Sequence, residues 1–167
     1  LSQTTFAQRF KDAGYTTGWV GKWHLGGAEK FQPQNRGFED TFGFLGGAHG
    51  YFSSARPLLR RGGKPVEEKE YLTDAFGREA LAFLDRHAKE PFFLYLAFNA
   101  VHTPMDATDE RLQKFKGIAD EKRRTYAAMM SAMDENIGKV LAKLDELKLA
   151  ESTLVFFISD NGGPTMQ

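Results

Sequence analysis

Cysteine is absent from this 167-residue chain, which excludes disulfides, thiolate metal sites and a cysteine nucleophile within these residues. The absence leaves the compartment open, because many exported proteins have no disulfide. A surplus of either charge is missing as well. The 22 lysines and arginines balance 22 aspartates and glutamates, so no global field argues for nucleic acid or an anionic membrane. Basic residues gather at Arg56, Arg60 and Arg61, but without a basic helix or stripe around them, and they read as a solvated loop. No apolar run approaches the roughly 20 residues of a membrane span. The opening residues do not show the charged, then apolar, then small-residue order of a signal peptide. Internal repeats and low-complexity tracts are also lacking. The length suffices for one domain with its own core. Both ends nevertheless look cut: a helix pattern begins at once, and the chain stops four residues after Gly163. The expectation is a segment of a larger protein.

Residues 2–13 read as a short amphipathic helix, with Phe6 and Phe10 on one face and Gly14 placed to end it. Tyr15 to Gly21 alternates as a strand. From Gly26 to about Pro65 the pattern breaks into glycines and aromatics, and a long loop is predicted, of the kind that is usually functional or badly assigned. Thr73 is placed to cap a helix running to about Lys89. Pro91 opens a second strand, Phe92 to Phe98, apolar throughout and so expected to be buried on both faces. A charged connection follows, then a long helix from about Glu121 to Leu147 whose apolar positions recur at helical spacing, with Asp134 and Asn136 expected on its solvated side. Thr153 to Ser159 reads as a third strand. Strands alternating with helices favour an α/β sandwich whose sheet is mostly parallel and flanked by helices.

Each strand runs into polar residues. Lys22 and His24 follow the first, His102 follows the second, and Asp160 and Asn161 follow the third. Ligands gather beyond the carboxyl ends of strands in an open parallel sheet, so these residues are expected to converge on one rim. A lysine ammonium offers a point charge to an oxyanion, and an imidazole can donate a hydrogen bond or move a proton. Asp and Asn oxygens suit a hard cation such as Ca²⁺ or Mg²⁺. Singly, each group has a plainer explanation: a strand end, a structural histidine, or a turn made of good turn residues. Their joint occurrence at three strand ends points to a site for an anion and a metal.

The motifs also resemble a family. Gly18-Trp19-Val20-Gly21-Lys22-Trp23-His24-Leu25-Gly26 is similar to the second sulfatase signature. Val101-His102-Thr103-Pro104 and Ser159-Asp160-Asn161-Gly162-Gly163 resemble two further sulfatase motifs, in the family's order. Asn35-Arg36-Gly37-Phe38-Glu39-Asp40, leading into Phe44-Leu45-Gly46-Gly47-Ala48-His49, resembles a loop of the arylsulfatase and N-acetylgalactosamine-6-sulfatase branch. The resemblance implies an alkaline-phosphatase-like sandwich in which residues 1–167 form the central segment of the catalytic domain, an incomplete domain. It implies hydrolysis of aryl or carbohydrate sulfates, with a sulfated small molecule or glycan as partner, in a periplasmic, secreted or lysosomal setting. Lys22 would contact the sulfate and a formylglycine nucleophile. His24 would bond to the hydrated aldehyde and help expel sulfate, and His102 would bind the sulfate near the leaving oxygen. Asp160 and Asn161 would ligate a divalent cation, most often Ca²⁺, with Mg²⁺ as the alternative. His49, in the glycine and aromatic loop, is a candidate for substrate selection. The Cys/Ser-x-Pro-x-Arg motif that yields formylglycine is absent, and Ser53-Ser54-Ala55-Arg56-Pro57 does not fit it. The paired upstream aspartates and a downstream sulfate-binding lysine are also lacking. The same residues leave open a phosphate or phosphonate ester hydrolase of the same superfamily, and a non-catalytic binding protein on a degenerate sulfatase scaffold.

Overall fold

A computed structural model describes residues 3–52 and 57–163. Arg56 and the neighbouring Ser53-Ser54-Ala55 lie outside the described residues. The chain opens with helix α1 (Phe6–Asp12), shorter than the sequence suggests. Thr5 caps it by accepting a hydrogen bond from the Gln8 amide, and Gly14, at φ 86°, closes it in the left-handed conformation glycine adopts freely. Its inward side is Ala7 and Phe10, not Phe6 and Phe10. Phe10 stacks on Phe93 with ring centroids 4.5 Å apart, while Phe6 is 79% exposed.

Strand β1 (Thr16–Lys22) is the centre of the molecule and is buried along nearly its whole length. The predicted long loop is in fact three strands and two short 3₁₀ turns: β2 (Asp40–Phe44), β3 (Leu59–Arg61) and β4 (Lys64–Val66), with turns at Glu29–Phe31 and Pro33–Asn35. The Arg60 and Arg61 pair therefore sits in a strand and not in a solvated loop. Arg61 forms a two-pronged ion pair with Glu79 at 2.7 and 2.8 Å and covers the Phe42 ring. Helix α2 (Leu72–His87) begins one residue before Thr73, so Thr73 is a fully buried helical residue and not a cap. Strand β5 (Phe92–Ala97), helix α3 (Asp109–Lys114) and helix α4 (Glu121–Glu146) complete the set, with a last 3₁₀ turn at Ala150–Ser152.

The sheet order is β4-β3-β2-β1-β5. β1 runs parallel to β2 and to β5, while β3 and β4 pair antiparallel, so the sheet is mixed, with a parallel core. Alternation along β1 sends Trp19 and Val20 to opposite faces. Trp19 packs with Trp23, Phe38 and Ala7 under α1. Val20 packs with Phe42, Phe44 and Phe76 under α2 and α4, where Ala128, Met129 and Ala132 close the layer. Helices thus cover both sides of the sheet.

Two expectations fail on the far side. Asn136 is only 2% exposed, because its Nδ2 donates to the Asp74 carboxylate at 2.7 Å and to the Ala132 carbonyl at 2.8 Å. Asp74 also receives Arg111 of α3 through bonds of 2.7 and 2.9 Å. The charged connection is therefore a helix whose arginine is used inward. The third strand is the larger correction. Residues 153–159 form no strand, and Leu154, Phe156 and Ile158 are 79, 77 and 80% exposed. An all-apolar strand needs cover on both faces, and among the described residues no layer lies over this one. For the same reason β5, an edge of the sheet, is half-buried and not fully buried, and Tyr95 is exposed.

Candidate active site

Because β1, β2 and β5 are parallel, their carboxyl ends open on one rim. Register places Lys22 beside Phe44, and Gly21 beside both Gly43 and Ala97. Glycine is required in this row. A Cβ on Gly21, which has φ 120°, would lie 1.9 Å from the Ala97 carbonyl oxygen, and one on Gly43 would lie 1.9 Å from that of Gly21. Three backbones thus close up directly beneath Lys22. Pairing continues past the strand ends, from Trp23 N–H to the Phe44 carbonyl at 3.0 Å and from His24 N–H to the Leu45 carbonyl at 3.2 Å. His24 then turns into the left-handed region at φ 54°. That turn ends the simple strand alternation at His24. The His24 ring lies against Gly47 so closely that a Cβ there would be 2.5 Å from its Nε2.

His102 reaches the same rim from β5. Its loop carries two cis peptide bonds, Ala100-Val101 and Thr103-Pro104. The His102 amide bonds back to the Asn99 carbonyl at 2.8 Å, closing a turn. Its ring is exposed and directs Nδ1 at the Thr103 carbonyl, 2.6 Å away. Nδ1 therefore holds the proton, and Nε2 is the ring atom left for a ligand. Lys22, His24 and His102 thus all follow the carboxyl ends of the adjacent parallel strands β1 and β5.

His49 reaches this end of the sheet as well, but its surroundings are those of a framework residue. It is 8% exposed, lies 4.9 Å from the Phe44 ring, and points its two ring nitrogens at the carbonyls of Gly50 (2.6 Å) and Pro57 (2.7 Å). The expected contact with substrate has no free ring atom to make it. A cavity of about 20 Å³ beside it, lined in part by Tyr51, Leu59 and Leu72, holds no more than a water.

Asp160 and Asn161 lie on an exposed turn outside the sheet, not at a strand end. The segment leading to them still runs in the direction of β5. It starts near the carboxyl end of α4, where Leu144 and Leu149 pack with Phe92 at the start of β5. It ends with Gly163 against the Tyr126 hydroxyl, early in α4, and Tyr126 belongs to the cluster holding Phe98 and Val101 beyond β5. Burial, and then the charge of Asp160, push the Tyr95 phenol above its ordinary pKa. The Asp160 carboxylate accepts from the Asn161 amide at 2.8 Å, and the Asn161 side-chain nitrogen, turned toward it, would donate at 2.9 and 3.0 Å. The two side chains carry hard oxygens of the right kind for Ca²⁺, but at most three of the six to eight it takes. Among the described residues no three metal-ligating side chains come together.

Two residues to which the sequence assigns no role hold the rim together. Tyr51, 1% exposed, bonds through its hydroxyl to the carbonyls of Asn99 (2.9 Å) and His102 (3.0 Å). Asn99, 2% exposed, donates to the His49 carbonyl at 3.3 Å and leaves Oδ1 without a partner. A polar residue directly after an apolar run is the only signal that pointed to Asn99. Tyr51 gave none beyond its place among loop aromatics.

The chain is similar to known proteins along its whole length. The sulfatase family matches residues 1–167. An arylsulfatase of Klebsiella aerogenes is 30% identical over 98% of this chain and 48% of its own length. The N-acetylgalactosamine-6-sulfatase of Canis lupus familiaris is 37% identical over 91% of this chain and 31% of its own. Among solved structures, Ps i-CgsB in complex with k-i-k-neocarrahexaose superposes with a TM-score of 0.82 at 38% identity, over 86% of this chain and 36% of that one. The chain therefore spans 31 to 48% of the length of these relatives. Its mixed sheet between helices is the corresponding part of the alkaline-phosphatase-like fold of those sulfatases.

Proposed function

The chain belongs to the sulfatase family, and from that premise we propose that it is the central segment of a catalytic domain that hydrolyses sulfate esters, with a sulfated glycan as the favoured substrate. One observation carries the reading. Lys22, His24 and His102, a cation and two imidazoles, follow the carboxyl ends of adjacent parallel strands. A sulfuryl group in transfer carries negative charge on its oxygens, and preorganised donors around it lower the barrier. Lys22 supplies a point charge on a strand end stiffened by three close backbones. His24 is held by the Leu45 carbonyl behind it and Gly47 beside it. His102 offers Nε2 toward the ester, its Nδ1 being engaged with Thr103.

Asp160 and Asn161 would contribute to a divalent cation, Ca²⁺ by preference, which as a Lewis acid neutralises charge on a sulfate oxygen. The remaining ligands and the formylglycine nucleophile would come from outside these residues. The glycan substrate is supported by the relative solved with a neocarrahexaose and by the N-acetylgalactosamine-6-sulfatase similarity. Among the described residues no helix is long and apolar enough to cross a membrane. By family resemblance the setting is periplasmic, secreted or lysosomal.

The test is kinetic, on the full-length protein, with an aryl sulfate, a sulfated oligosaccharide and an aryl phosphate. Sulfate ester turnover is expected. Lys22→Ala and His102→Ala should each lower kcat on the order of 10²–10³-fold, the loss seen when one preorganised oxyanion donor is removed. Turnover of the phosphate alone, or near-normal kcat in both variants, would refute the assignment.

A further inference from the structure

The turn that carries His102 is fastened from outside itself. Residues 99–102 are closed by the His102 N–H bond to the Asn99 carbonyl at 2.8 Å. The Tyr51 hydroxyl shares its single proton between the carbonyls at the two ends of that turn, 2.9 Å from Asn99 and 3.0 Å from His102. Tyr51 is itself immobilised. Its ring stacks on Tyr71 at 5.7 Å, its carbonyl accepts from the Leu72 amide at 2.8 Å, and it is 1% exposed. A second tie runs the other way, from the Asn99 side chain to the His49 carbonyl at 3.3 Å. The loop after β2 and the loop after β5 are thus sewn together at a buried point.

We propose that Tyr51 is a positioning residue for His102, its hydroxyl fixing the turn that aims the imidazole. The role of His102 in sulfate ester hydrolysis rests on the reading above, and the position of its ring does not. Burial also raises the phenol pKa well beyond its ordinary value, so the hydroxyl keeps its proton and stays a donor. Among the described residues the hydroxyl bonds to two backbone carbonyls, so its loss alters where the turn sits and not what the site contains.

The test is Tyr51→Phe, which keeps the stacked ring and removes one oxygen. In the full-length protein kcat on an aryl sulfate should fall on the order of 10-fold, as a loosened turn lets the ring drift from its reacting geometry. KM should stay within about twofold, since Tyr51 is only 1% exposed and its side chain is closed off from a substrate. Added to His102→Ala, Tyr51→Phe should have no further effect. With ¹⁵N-histidine labelling, the His102 ring signals should move in Tyr51→Phe, while those of His87, at the opposite end of the sheet, stay in place. Unmoved His102 signals overturn the proposal, and so does an equal loss of kcat in the His102→Ala background. A fall in melting temperature alone, with those signals fixed, also overturns it. If the wild type turns over no sulfate ester, the sulfatase reading has failed, and the ring signals decide this inference alone.

Discussion

Gly47→Ala is the substitution through which the geometry of the rim can be tested most directly. An alanine Cβ there would lie 2.5 Å from His24 Nε2, 2.6 Å from Cε1 and 3.0 Å from Cδ2. Ordinary contact begins near 3.4 Å, so the ring must retreat by about 0.9 Å. His24 is exposed and can do so without disturbing the core. The change should therefore be mild in stability and severe in function. A misplacement of about 1 Å at a reacting group can lower turnover on the order of 10²-fold, and that is the expected fall in kcat/KM. Gly46→Ala is the internal control, because its Cβ would meet only the Ala48 carbonyl at 3.7 Å.

The assay is steady-state hydrolysis of an aryl sulfate by the full-length protein, with thermal unfolding measured alongside. Gly47→Ala should approach the activity of His24→Ala, and the double variant should be no worse than His24→Ala alone. Equal activities for Gly46→Ala and Gly47→Ala would refute the reasoning. So would a Gly47→Ala loss that persists undiminished once His24 is gone.

Three further outcomes are expected. Gly77→Ala should destabilise by about 1–3 kcal/mol, despite the better helix propensity of alanine, since its Cβ would lie 2.0 Å from Asn136 Oδ1; Asn136→Ala should relieve the clash, which denaturant unfolding of the double variant would show. Glu135, held down to about 2 chiefly by Lys114 and then by Arg111, gives stability that is present above its unfolded value near 4.5 and lost as pH falls toward 2. The pair is partly exposed, so Glu135→Gln should cost less than about 1 kcal/mol at neutral pH, a difference that closes on acidification in urea titrations. Asp160→Ala should raise the calcium needed to restore activity after chelation, whereas Lys22→Ala should leave that requirement unchanged.

Much of the rim was legible in the sequence because its signals are local. Lys22 and His24 follow a strand whose β-branched and aromatic residues announce it, and the apolar run before Asn99 and His102 is equally plain. Other elements depended on partners the sequence cannot display. β2, Asp-Thr-Phe-Gly-Phe, reads as loop because Gly43 weakens a strand pattern, yet that glycine is what lets the strand lie against Gly21. Asn136 reads as a solvated helix residue because its partner, Asp74, is 62 positions away. Local pattern also erred in the opposite direction. Leu154 to Ile158 has every mark of a core strand, but burial is a relation between layers, and no described layer covers it.

The same distinction applies to His49 and Tyr51. By residue type, a histidine in a glycine-rich loop is the candidate for substrate selection, and a tyrosine beside it draws no attention. In the fold, the His49 ring is occupied by two backbone carbonyls, while the Tyr51 hydroxyl holds both ends of the turn bearing His102. The loop after β2 therefore serves the rim in two ways, through Gly47 pressed on His24 and through Tyr51 fastened beneath His102. Both act by fixing where an imidazole sits. Substitutions in this loop should accordingly lower kcat more than they raise KM, and a loop variant that changed KM alone would show that it touches substrate instead.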